Sequence, residues 1–384
     1  MLLRSSALEG NLEDHLRIQA FFELGHCYYY GIGTETNIEE AYTWYARAAE
    51  SGSEGAQYLA ASLILDKRCS ETDTAKAIAW LRQAAEQGCM YSTMRLGECY
   101  LEGNVVPKDA EEAFQWFQKS AELGNPAAVN MVGRCYMDGN GVEQDQEKAF
   151  QYFQKASEAG DESAMFNLAD CYFNGLGTEQ SEEQAVPWYQ KAAEANISIA
   201  QYMLGTCYHF GKGVSPNEEL ALHWLRKAAE QDYGYAQFKM GDYYFFGCGP
   251  CLEDNKKAME WYEKAVANEI PMAMLRMGEY YLYDYDSLNE SEKAFAYFKK
   301  AAEYEWYSEG LGICYEMGIG VEDNETEAFK YYTLAADNGN TMSMYRTGLC
   351  YYNGVGVKQN YAEAYRWFTD AAGNGNIAAT YYLS

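Results

Sequence analysis

The segments LGHCYYYGIGTETNIEEAYTWYARAAESG from Leu24, LGTCYHFGKGVSPNEELALHWLRKAAEQD from Leu204 and TGLCYYNGVGVKQNYAEAYRWFTDAAGNG from Thr347 are one unit written three times. A chain that repeats at a fixed period is built from one supersecondary unit stacked on its own copies, so the period constrains the fold more tightly than any single motif. With the first glycine of each unit as origin, the register runs Gly25, Ala61, Gly97, Gly133, Ala169, Gly205, Gly241, Gly278, Gly312 and Gly348. The interval is 36 residues, except that 278 − 241 = 37 and 312 − 278 = 34. Ten copies fill residues 1–384 as a single repeat domain whose last copy is incomplete.

Each position of the unit has a mechanical role. Small and apolar residues around the origin recur at helical spacing, as in Ala200, Leu204, Cys207 and Tyr208, and predict the buried stripe of a first helix. The origin glycine or alanine lets a neighbouring helix approach closely. A glycine such as Gly31, Gly103, Gly211 or Gly354 ends that helix, because it takes the left-handed conformation without steric cost. Twelve residues after the origin stands a capping residue, such as Asn37, Asp109, Asn217 or Asn360. Glu40, Glu112, Glu327 and Glu363 follow three residues after their caps in the capping-box pattern. The second helix carries an alanine in every copy, an aromatic three residues on (Trp44, Trp116, Trp188, Trp224), and then Ala-Ala-Glu or a variant.

The unit LGxCYxxGxGVxxNxxxAxxWYxKAAExG resembles the Sel1-like repeat, a relative of the tetratricopeptide repeat that is longer by two residues, over essentially the whole chain. The resemblance implies an all-α fold, a right-handed α-α superhelix of about ten helix-turn-helix repeats. It also implies an adaptor or scaffold role, because proteins of this kind hold other proteins in complexes, and it names no substrate.

The string FFGCGPCLED at 245–254 contains the Cys-Gly-Pro-Cys of thioredoxin-type enzymes. That chemistry needs a cysteine whose thiolate is stabilised at a helix N-terminus directly after a strand. Here Cys248 lies between the turn glycines Gly247 and Gly249, and Cys251 precedes the cap Asp254, so the pair belongs to an inter-helix loop. Seven of the eleven cysteines share one register on the first helix (Cys27, Cys99, Cys135, Cys171, Cys207, Cys314, Cys350), too far apart for bridging across an intervening helix. The expectation is at most one disulfide, Cys248 to Cys251, and a reducing compartment. The cysteine-rich branch of the resembled family bridges two cysteines per repeat, and penicillin binding or hydrolysis is attributed to some of its members; that pattern is absent here, as are Ser-x-x-Lys and Lys-Thr-Gly. The four histidines have no His-Glu-x-x-His spacing, and the recurrent Gly-x-Gly belongs to the turn, with no phosphate-loop Lys-Ser or Lys-Thr after it. The reading is of a protein without catalytic residues, cofactor or metal.

With 29 basic and 57 acidic residues the formal charge is 29 − 57 = −28. That field repels nucleic-acid phosphates and anionic lipid, and favours basic or amphipathic protein or peptide partners. Neither a membrane span nor a signal peptide is legible in the chain as given, which reads as cytoplasmic. By resemblance to tetratricopeptide arrays, positions three before, one after and four after the origin line the concave side. For copies five to eight these positions include Phe166, Asp170, Phe173, Tyr202, Thr206, His209, Phe238, Asp242, Phe245 and Glu279, which are expected to be the partner-binding residues. The plainer reading of the aromatics among them is packing between adjacent first helices. Alternative functions are a hydrolase like the cysteine-rich branch and an immunity-type binder of one partner. The final segment NIAATYYLS begins another first helix, and Tyr381, Tyr382 and Leu383 are expected to lie without a second helix over them.

Overall fold

The structure, a computed structural model, describes residues 13–283 and 290–383, except the side chain of Tyr283. Among the described residues the chain is helical throughout and contains no strand. It forms two compact units, Met1–Ile197 and Ser198–Ser384. The first holds five helix pairs, from Asp14–Tyr30 with Ile38–Glu50 to Glu162–Asn174 with Glu182–Glu194. The second holds five more, from Ser198–Phe210 with Glu218–Glu230 to Thr341–Asn353 with Tyr361–Gly373, and then Ile377–Leu383. The first helix of each copy is termed A and the second B. This is the α-solenoid architecture that the repeat dictates, each pair burying an apolar face that it could not bury alone.

The expected joints are present. The C-cap glycines Gly31, Gly103, Gly139, Gly175, Gly247, Gly318 and Gly354 are all left-handed. Asn37, Asp109 and Asn360 accept from the backbone N–H groups of Glu40, Glu112 and Glu363 at 3.1, 3.0 and 3.2 Å. The glutamate half of the capping box goes elsewhere in copies one and three, where Glu40 and Glu112 accept the indole N–H of Trp44 and Trp116 at 3.2 and 3.0 Å. A lysine or arginine then stacks on most of these indoles, such as Lys191 on Trp188 at 3.9 Å and Lys264 on Trp261 at 4.0 Å. Much of the chain's scarce positive charge is thereby held on B helices.

The close approach at the origin is intra-repeat. A Cβ on Gly133, Gly278 or Gly348 would stand 2.8, 2.7 or 2.7 Å from the ring of Phe153, Phe298 or Phe368, the residue twenty positions on in B. The helices therefore touch at backbone-to-ring distance. The second turn glycine works between repeats: a Cβ on Gly141 or Gly177 would overlap the backbone carbonyl of Ala110 or Gln146 in the preceding copy.

Copies two and nine depart from the usual helix ends. Copy two turns through Lys67, a non-glycine at φ 54°, in place of the usual C-cap glycine. Copy nine, whose spacing is two residues short, has an A helix of nine residues, Glu309–Met317, preceded by a 3-10 turn at Glu305–Tyr307. Its neighbours in copies eight and ten have A helices of thirteen. Of the terminal residues expected to lie uncovered, Tyr381 is 78% exposed, whereas Tyr382 stacks on Phe368 with centroids 4.7 Å apart.

Candidate functional site

The A-helix face of the first unit contributes Phe166, Asp170 and Phe173, all in Glu162–Asn174 of copy five and all half-buried. Phe166 and Phe173 sit on either side of the buried Tyr189 ring of helix B, each 5.9 Å away between centroids. The Tyr189 hydroxyl reaches Asp170 Oδ1 at 3.4 Å, and Asn174 Nδ2 donates to the same oxygen at 2.7 Å. Burial pushes the Asp170 carboxyl above the usual carboxylate range.

The arrangement recurs. In copy one Phe22 and Tyr29 flank Tyr45 at 5.9 and 6.4 Å. In copy ten Tyr345 and Tyr352 flank Phe368 at 6.0 and 6.4 Å. In copies one, five, seven and ten, aromatics three before and four after the origin thus clamp the B-helix ring that packs on the origin residue. Where that ring is tyrosine, the A helix supplies the partner of its hydroxyl: His26 for Tyr45 at 3.2 Å, Asp170 for Tyr189, Asp242 for Tyr262 at 2.8 Å, and Glu316 for Tyr332 at 2.6 Å. A buried phenol needs this, because an unpartnered hydroxyl costs about 1–3 kcal/mol.

In the second unit the structure corrects one expected anchor. Phe238 is 6% exposed, wedged against Tyr262 at 5.8 Å and grouped with Ile270 and Met277 of copy eight, so it presents no face to a ligand. The plainer reading, packing between A helices, applies to it. Phe245 is half-buried and touches both Tyr262 at 6.3 Å and Phe246 at 5.0 Å. Tyr202 packs on Tyr233 at 5.3 Å, and Thr206 Oγ1 donates to the Tyr202 carbonyl at 2.9 Å, occupied within its own helix.

The acidic residues on this face are paired within the chain. Asp242 accepts from Tyr262 and lies 3.7 Å from Lys239 Nζ and 3.9 Å from Arg276 Nε. Its carboxyl too is raised by burial, which outweighs those neighbours. Glu279 holds Arg276 Nη1 at 2.9 Å. Asp242 and Glu279 are therefore brought together through one guanidinium. His209 forms a separate cluster, its Nδ1 3.0 Å from Glu218 Oε1 and 3.0 Å from the Tyr243 hydroxyl, which also donates to Glu218. Burial, then the Glu218 carboxylate, pushes the Tyr243 phenol upward.

Sequence reasoning missed two accessible rings on this face. Phe210 and Phe246, five after the origin in consecutive copies, are 58% and 55% exposed and lie beside His209 at 4.5 Å and Phe245 at 5.0 Å. Arg276 stands over Phe246 at 5.5 Å. The signal was available: Tyr30, Phe210 and Phe246 are aromatic at a position occupied by Asp66, Glu102 and Asp138 in other copies.

The Cys-Gly-Pro-Cys string forms a turn after the left-handed cap Gly247, with the Cys251 N–H donating to the Cys248 carbonyl at 3.1 Å. Cys251 is buried, and burial raises its thiol, the reverse of what an attacking thiolate requires. All eleven cysteines are free. Among the described residues no three His, Cys, Asp or Glu side chains gather as a metal set, and no helix is long and apolar enough to cross a membrane.

Comparison with known proteins agrees with this geometry. The Sel1 repeat model matches ten times, at residues 19–53, 56–89, 91–125, 126–161, 162–197, 198–233, 234–269, 271–303, 309–340 and 341–376. Among solved structures the chain is similar to c5321 of uropathogenic Escherichia coli, a protective antigen displaying an SLR fold: 30% identity, TM-score 0.75, covering 98% of this chain and 80% of that one. A Sel1 repeat protein of Oxalobacter formigenes shares 26% identity over 89% of this chain and 88% of its own, with a TM-score of 0.47. The immunity protein Pa5087 of Pseudomonas aeruginosa shares 18% identity over 65% of this chain and 81% of its own, with a TM-score of 0.37. No match was found among curated proteins. Ten matches in the register of the origin glycines, together with the c5321 likeness, make this chain a member of the Sel1 repeat family.

Proposed function

We propose that the chain is a non-catalytic adaptor that binds a segment of a partner protein on its A-helix face. Sel1 repeat proteins generally mediate protein–protein interaction. The observation that carries the reading to this face is the pair Phe210 and Phe246, large rings more than half exposed at equivalent positions of consecutive A helices. Tyr202, His209, Asp242, Phe245 and Glu279 are proposed to share this face, with Phe166, Asp170 and Phe173 as the first unit's separate share. Aromatic anchors beside polar groups are what hot spots consist of. With a net charge of −28, a basic or amphipathic partner segment meets a favourable long-range field. Eleven free thiols fit a reducing, cytoplasmic setting.

The test is capture of partners from the native host by the wild-type chain and by Phe210→Ala, Phe246→Ala and Leu220→Ala. Both phenylalanines and Leu220 are exposed, so none of the three changes removes core packing. Loss of about tenfold or more in retained partner is expected for an anchor phenylalanine, and no change for Leu220 on helix B. Equal retention by all four proteins contradicts the assignment.

A further inference from the structure

A cavity of about 150 Å³ opens in the second unit where copies eight and nine meet. Two sequence features meet at it. In copy eight the clamp positions hold Leu275 and Leu282 instead of aromatics, over the buried ring of Phe298. In copy nine the missing residues shorten helix A, and the turn Glu305–Tyr307 replaces its opening. Trp306 and Tyr307 of that turn line it together with Ile313 of copy nine. Glu279 and Glu309 contribute carboxylates.

Leucine, isoleucine and aromatic side chains make up most of the lining, with Glu279, Glu309 and Asn340 as its polar members, and the volume compares with an engineered cavity that takes benzene, so the space suits one large apolar side chain. The charged groups linked to it are acidic in balance. Arg276 is bracketed by Asp242 at 3.9 Å and Glu279 at 2.9 Å, and Arg346 by Glu309 at 3.2 Å and Glu316 at 3.3 Å. With Lys239 beside Asp242 at 3.7 Å, three cations face four carboxylates, 3 − 4 = −1, within a chain of net charge −28.

We infer that this cavity receives a phenylalanine-sized apolar side chain of a partner protein, with a lysine or arginine next to it in the partner's sequence held toward Glu279 and Glu309. The apolar residue is taken out of water by Leu275, Leu282 and Ile313, and the cation remains at the wet rim, where it adds selectivity. The inference deepens the adaptor reading and rests on it.

The probes are two N-acetylated, amidated tetrapeptides, Gly-Phe-Lys-Gly and Gly-Phe-Glu-Gly, titrated into the full chain. The reporter is the indole N–H resonance of Trp306, which is 45% exposed, identified by its loss in Trp306→Phe. The expected result is a saturable shift with the lysine peptide at millimolar concentration, and binding at least about threefold weaker for the glutamate peptide, the gap narrowing with added salt. Ile313→Phe and, independently, Leu275→Phe should fill the space and weaken the lysine peptide at least about tenfold while the far-ultraviolet spectrum is retained. No saturable shift in the wild type overturns the inference, as does equal affinity for the two peptides or undiminished binding in both filled variants. Neither peptide bound while partner capture still depends on Phe210 and Phe246 removes the cavity and leaves the adaptor reading standing. Peptide bound while capture is indifferent to those phenylalanines keeps the cavity and removes Phe210 and Phe246 as anchors of the adaptor.

Discussion

Replacing Tyr262 by phenylalanine tests the rule that the acid one after the origin serves a buried phenol. Tyr262 is fully buried, its hydroxyl donates to Asp242 Oδ1 at 2.8 Å, and the carboxylate's two cations stand farther off at 3.7 and 3.9 Å. Tyr262→Phe removes a hydrogen bond to a charged acceptor, and the expected loss is about 1.5–3 kcal/mol. Asp242→Leu leaves the hydroxyl buried without its partner, at about 1–3 kcal/mol. The double variant recreates copy ten, where Phe368 packs with Leu349, so both polar groups leave together. Its loss should fall short of the sum by about 1 kcal/mol or more, against the 0.3–0.5 kcal/mol or so within which independent sites add. Urea unfolding followed by circular dichroism on all four proteins measures this, with the slope checked for constancy, because repeat arrays can unfold in stages. Additive losses would refute the pairing.

Three further outcomes are expected. Gly141→Ala should cost roughly 2–5 kcal/mol, since left-handed strain is joined by overlap with the Ala110 carbonyl, whereas Gly124→Ala, at φ 91° with nothing within 4 Å, should cost only the strain, about 1–2 kcal/mol; equal shifts in melting midpoint would contradict this. Burial pushes the thiols of Cys99, Cys135 and Cys350 up to about 11 and those of Cys171 and Cys314 to about 12, so a thiol reagent at about pH 8 should label the partly exposed Cys27, Cys89 and Cys248 first, and all eleven after denaturation without reductant. Because the folded-state pKa of Asp170 lies above its ordinary 3.8, its contribution to stability is present below that value and lost as pH rises through the folded pKa; the stability of Asp170→Asn relative to wild type should therefore increase from about pH 4 to pH 7, and a flat difference would sink the assignment.

The periodicity made the fold legible because most of its joints are local. The origin glycine, the left-handed cap and the capping asparagine each act within one unit, and ten repetitions average out any single exception. The face was legible only in part. Phe238 and Phe245 occupy equivalent positions around one buried ring, yet packing from copy eight, which no intra-unit pattern encodes, covers Phe238 and leaves Phe245 half-buried. Asp170 and Asp242 looked like polar groups awaiting a ligand because their phenol partners lie about twenty residues away in sequence. That pairing could have been found by comparing the two positions across copies. The cavity at copies eight and nine follows from a shortened interval that was visible, but its walls depend on how a 3-10 turn replaces the start of a helix, which spacing alone does not specify.

Covalent footprinting of the chain by hydroxyl radicals, with and without its captured partner, tests the adaptor account most directly, because oxidation reports the exposure of aromatic side chains one by one. The account predicts that Phe210, Phe245 and Phe246 lose reactivity in the complex, while the exposed B-helix residues Leu220 and Tyr365 keep theirs. Protection confined to B-helix residues, with Phe210 and Phe246 as reactive in the complex as in the free chain, would contradict it.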